Sequence, residues 1–154
     1  MDEDQFRALY QEINPQRCVF EKAINNRRCD CRRKQRFLLA TREGVGCQSA
    51  ESLAQCRVFL DTLRSGSRFA LRETLIDGPL PHNKELKVQA GGCLALQQLL
   101  FAEQDQAAAA TVPDIHELIN TSLSRYGSMD ALPYPELVRG VLRYESRRKR
   151  RGGK

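Results

Sequence analysis

Tryptophan is absent, and aromatic residues of every kind make up only 6% of the 154 residues. A core must therefore be assembled from Leu, Ile, Val and Phe. No run of about 18 apolar residues occurs, so no segment reads as a membrane-spanning helix. The first residues, MDEDQFRALYQ, are acidic and have no apolar stretch of the kind a secretory signal needs. On that reading the protein belongs in the cytoplasm. Only two histidines are present, His82 and His116. There is no P-loop, no GxGxxG, no Glu-x-x-His and no convincing Ser/His/Asp arrangement. Catalysis finds no support, although an enzyme built on a metal centre is compatible with the sequence.

Acidic charge is scarce at one end. The net charge is +6, yet Arg147, Arg148, Lys149, Arg150, Arg151 and Lys154 fall in the last eight residues. Without those six, the 25 basic residues become 19, against 19 acidic ones. The body is near neutral, and residues 147–154 read as a disordered basic tail. Such a tail can bind phosphate backbones electrostatically. It lacks interleaved aromatics, so a solubility tail or a docking arm for an acidic protein explains it equally well. Nucleic acid and an acidic protein are thus both candidate partners through Arg147, Arg148, Lys149, Arg150 and Arg151.

Hydrophobic periodicity predicts a mostly α-helical domain of about six helices over 1–146. Phe6, Leu9, Tyr10 and Ile13 mark a helix over 3–13, with Asp2 or Asp4 near its start. Asn14 and Pro15 predict a second helix over about 15–25. Phe37 to Glu43 reads as a short helix, and Gly44 and Gly46 as a flexible turn. Ser49 suits the N-cap of a long helix over roughly 50–75, with a kink near Ser65-Gly66-Ser67. Residues 76–82 read as a loop, 86–89 as a short extended piece, and Gly91-Gly92 as a turn before a helix over 93–102. Residues 103–113 read as a linker. Asp114 and Gly127 bracket a helix over 114–126, and a last helix covers about 135–146. The cysteine-rich half spans 1–75 and the C-terminal helical part 93–146.

The chemistry lies in the cysteines. Five of six fall between Cys18 and Cys56, spaced C-x10-C-x-C-x15-C-x8-C. In a reducing compartment, thiols at this density suggest metal ligation or redox reactivity before a disulfide framework. Unreactive core thiols are the plain alternative, and Cys56, on the inward stripe of its helix, suits that best. The paired C-x2-C knuckles of structural zinc are missing, as is the common ferredoxin run. Iron–sulfur clusters tolerate more varied spacing, which favours a cluster, [4Fe–4S] in type, with zinc as the alternative. Cys18, Cys29, Cys31 and Cys47 are the expected ligands, with Cys56 as an alternative that could replace Cys18. Arg27, Arg28, Arg32 and Arg33 flank the Cys29-x-Cys31 pair and are expected to lower thiolate pKa and offset the charge of the centre. Cys93, after two glycines, reads as a cysteine opening a helix, more simply structural than nucleophilic. His82 reads as a surface residue. His116 falls on the polar side of its helix, away from metal ligation.

This density of cysteines over residues 18–56 resembles small bacterial cysteine-cluster proteins described as zinc- or iron-chelating. Their adjacent or C-x3-5-C cysteines are not found here, so the resemblance assigns no ligands. It implies only a metal-chelating role. The function expected from the residues is an iron–sulfur protein in electron transfer, redox sensing or assembly of another enzyme, working with a protein partner. The alternative is a zinc-stabilised module that binds nucleic acid or an acidic protein through its tail.

Overall fold

Asp2 begins the first helix through a reciprocal cap. Its carboxylate accepts from the Gln5 amide at 2.8 Å, and the Gln5 side chain accepts from the Asp2 amide at 3.2 Å. Helix α1 (Glu3–Ile13) follows, as expected. The computed structural model describes residues 2–72, 79–102 and 110–144. The basic tail, and with it Arg147, Arg148, Lys149, Arg150 and Arg151, lies outside the described residues.

The second helix is shorter than its sequence suggested. Helix α2 covers only Glu21–Asn25. Residues 16–18 instead run beside an extended segment: Cys47 N–H donates to the Gln16 carbonyl at 2.8 Å, and Cys18 N–H to the Val45 carbonyl at 2.9 Å. That segment is the larger departure. Residues expected to form a helix and a glycine turn form an antiparallel hairpin of β1 (Lys34–Leu39) and β2 (Arg42–Cys47). The register pairs Leu39 with Arg42 at the turn and Lys34 with Cys47 at the open end. Ala40 turns the chain in the left-handed region, at φ 57°. Gly44 is a strand residue because Phe37 lies across it; a Cβ there would stand 2.4 Å from the Phe37 ring. Short apolar runs such as Phe37-Leu38-Leu39 fit either strand or helix by periodicity alone.

A buried polar network ties α1, α2 and β2 together. Glu21 accepts from the Tyr10 hydroxyl, from Val45 N–H at 2.7 Å and from Arg17 Nε at 2.9 Å. Asn14 donates to the Tyr10 oxygen and to the Val45 carbonyl, each at 3.1 Å. Burial, and then the bond to Glu21, push the Tyr10 phenol up to about 12, so it remains the donor.

Helix α3 (Ala50–Arg68) begins at the Ser49 N-cap, runs through Gly66 and ends before 75. Helix α4 (His82–Leu100) replaces the expected extended piece, turn and shorter helix. Its glycines mark close packing. A Cβ on Gly91 would stand 2.8 Å from Tyr144 Cβ, and one on Gly92 would stand 2.6 Å from Leu63 Cδ1. Helix α5 (Ile115–Tyr126) lies between the Asp114 cap and Gly127 at φ 90°. A short 3₁₀ turn leads to α6 (Tyr134–Arg143). The fold is thus mostly α with a two-stranded hairpin, and α4 is its central element, buried against α2, α3, α5 and α6. One apolar core joins Phe20, Phe59, Leu63, Leu96, Ile115 and Leu137. No described helix is long and apolar enough to cross a membrane.

Candidate metal centre

Four segments bring thiols to one cavity. Cys18 comes from the extended stretch before α2, Cys31 from the loop before β1, Cys47 from the end of β2 and Cys56 from α3. The hairpin register places Cys47 beside the Cys31 loop, where Gln48 N–H donates to the Arg33 carbonyl at 2.9 Å. The loop is held from its other side by the start of α5. Asp30 N–H donates to the Val112 carbonyl at 2.9 Å, and Ile115 N–H to the Asp30 carbonyl at 2.9 Å. Ser49, two residues after Cys47, accepts from Ser52 N–H at 3.2 Å and so starts the helix that carries Cys56. The walls between the sulfurs are apolar: Phe20, Leu53, Ile115 and Ile119.

Backbone amides point at two of these sulfurs. Phe20 N–H donates to the Cys18 sulfur; Arg33 and His116 N–H donate to that of Cys31. Each bond favours the thiolate. Burial works the other way and is stronger. It pushes the Cys18 thiol up to about 12, raises Cys31, and raises Cys56, which also feels the charges of Cys18, Cys31 and Cys47. The lowering expected from the flanking arginines is corrected at Cys31, whose thiol burial raises instead. Without a cation in their midst these buried groups hold protons. Cys47 Sγ donates to the Ser49 carbonyl at 3.2 Å.

The arginines do not form a belt around the sulfurs. Arg33 alone of the four lines the cavity. Arg32 pairs with Asp114 and lies 3.6 Å from Glu117. Arg28 donates to the Tyr144 hydroxyl at 3.1 Å. Arg27 is exposed, in the left-handed region at φ 61°.

Cys29 is elsewhere. Expected among the ligands, it is 5% exposed and belongs to the core. Its side chain hydrogen-bonds Cys93, which is fully buried in mid-α4 and not at a helix start. The cavity thus takes in Cys18, Cys31 and Cys47 from the expected set, and Cys56 in place of Cys29. His116 also lines it, which its polar helix position did not suggest. Its ring is engaged on both nitrogens, by Ser52 Oγ at 3.2 Å and Asn120 Nδ2 at 3.1 Å.

Among the described residues, no three His, Cys, Asp or Glu side chains converge as the ligands of a single ion would. The four thiols share a cavity without meeting at a point. Comparison of the chain with protein-family models, with curated proteins and with solved structures gave no match.

Proposed function

We propose that this cavity seats an iron–sulfur cluster on Cys18, Cys31, Cys47 and Cys56, and that the protein serves electron transfer, redox sensing or the assembly of another enzyme. The observation that carries the reading is the meeting of four thiols from four chain segments in one apolar-walled cavity. Thiolates are the soft ligands that iron–sulfur clusters require. A lone zinc ion draws its sulfurs to about 2.3 Å from one point. Thiols that surround a space without converging on a point suit a core of several atoms better.

When bound, the cluster supplies one-electron chemistry. The chain supplies the setting. Phe20, Arg33 and His116 amides stabilise thiolate charge, and the Arg33 side chain adds positive charge at the rim. Phe20, Leu53, Ile115 and Ile119 keep water from the sulfurs, which helps set the potential. Because burial disfavours free thiolates here, occupancy by a cation replaces protons and couples binding to proton release.

The test is purification without oxygen, followed by visible absorption and analysis for iron and acid-labile sulfide. The proposal predicts a coloured protein with both. Colourless protein lacking iron and sulfide overturns it. A second reading, a zinc-stabilised binding module, is favoured by one observation: the sulfur-lined void leaves only about 20 Å³ for a water-sized guest. Stoichiometric zinc without iron selects that reading, and with it a tail that contacts nucleic acid or an acidic protein.

A further inference from the structure

A second and larger cavity lies on the other side of Cys18. It is an open groove of about 600 Å³ between α2, α3 and the start of α4. Cys18 lines both it and the sulfur cavity, so the two share a wall.

Charge in the groove is uneven. Arg17, Lys22, Arg57 and Arg64 line it against Glu21 and Glu85. Both carboxylates are already committed. Glu85 is held by Arg64 at 2.8 Å, and Glu21 by Arg17 at 2.7 Å. Lys22 and Arg57 are left over: among the described residues neither has an ion-pair partner. Arg57 is exposed on α3, and Lys22 is half-buried on α2, across the groove. His82 at the start of α4 also lines the groove. Among the described residues no Phe, Tyr or Trp lines the groove, so the large aromatic platforms on which single-stranded nucleic acid stacks are missing from it. The groove is also more open to solvent than the sulfur cavity.

We propose that this groove docks an acidic segment of a partner protein. Carboxylates of an extended chain would meet Lys22 on one wall and Arg57 on the other. Val19 and Pro79 offer apolar contact between them. A partner seated there would lie against the Cys18 wall of the sulfur cavity. The inference goes beyond the metal reading and does not depend on which metal is bound.

The test uses the full-length protein and a short oligoglutamate peptide as probe. A carbodiimide joins a peptide carboxylate to a lysine amine in contact with it, with loss of water taken up by the reagent. Mass spectrometry then locates the amide. The proposal predicts cross-linking at Lys22. It also predicts that Arg57→Glu weakens peptide binding roughly tenfold at low salt, by reversing a charge on the wall. Arg57→Ala, the milder variant, weakens it about threefold. Cross-links confined to Lys149 and Lys154, or unchanged affinity in both Arg57 variants, overturn the proposal. So does an RNA oligonucleotide that binds with the same Arg57 dependence more tightly than the peptide. Because affinity is read independently of metal content, a negative result leaves the cluster proposal standing, and metal-free protein that still binds leaves this one standing.

Discussion

Glu85 shows how one buried carboxylate fixes a helix junction. It is 1% exposed and accepts from Arg64 Nη2 at 2.8 Å, Leu80 N–H at 2.9 Å and Gln89 Nε2 at 2.6 Å. Burial pulls its carboxyl upward, but Arg64, Leu80 and Gln89 together hold it below the usual range. Removing the charge would leave the buried Arg64 with only the exposed Asp61, 3.2 Å away, as a carboxylate partner. Glu85→Gln should therefore cost about 3 kcal/mol in urea unfolding. The pH dependence follows from the direction of the shift. The folded carboxyl titrates below the unfolded one, so its contribution is complete above the unfolded value near 4.3 and is lost as pH falls through the lower, folded value. Wild type should lose stability in that acidic window, and the loss should be smaller in Glu85→Gln. An equal loss in both proteins would remove Glu85 as its source.

Among the elements, α4 and α6 meet where side chains are nearly absent. A Cβ on Gly140 would stand 2.4 Å from Ala95 Cβ. Gly140→Val should therefore force the two helices apart and cost about 1–3 kcal/mol, visible as a lower melting temperature. No change would show that the junction is looser than described. The same contacts explain which elements could be read from the sequence. Helices α1 and α5 carry their own boundaries in Asp2, Asp114 and Gly127, and local chemistry sufficed for them. Helix α4 was divided because Gly91-Gly92 looks like a turn; only the approach of α6 and Leu63 explains a glycine pair in mid-helix. The hairpin was hidden for a similar reason, since Gly44 is a strand residue only because Phe37 lies across it. The cysteine cluster was legible by density. Which cysteines share a cavity was not. Cys29 and Cys31 have the same basic flanks, yet one faces Cys93 and the other faces α3 and α5. Cys56 sits on a helical stripe that serves core packing and a cavity wall alike.

At the scale of the whole molecule, the sulfur cavity lies where several chain segments come together. The hairpin, the Cys31 loop, α3 and the start of α5 all border it. A centre bound there stabilises the native state by the free energy of its binding, because an unfolded chain offers no preformed site. Anaerobic protein treated with a chelator and a reductant should therefore melt at lower temperature than untreated protein. Reconstitution with ferrous iron and sulfide should restore the higher value. Identical melting curves would mean that nothing held by these cysteines supports the fold.

The distinction between Cys29 and Cys56 tests the account most directly, since neighbourhood in sequence favours one and position in the fold favours the other. Iron per chain should be measured after anaerobic purification of Cys29→Ala and Cys56→Ala side by side. The account predicts that Cys29→Ala retains the iron of the wild-type protein and that Cys56→Ala loses most of it. Iron lost from Cys29→Ala and kept by Cys56→Ala would contradict it.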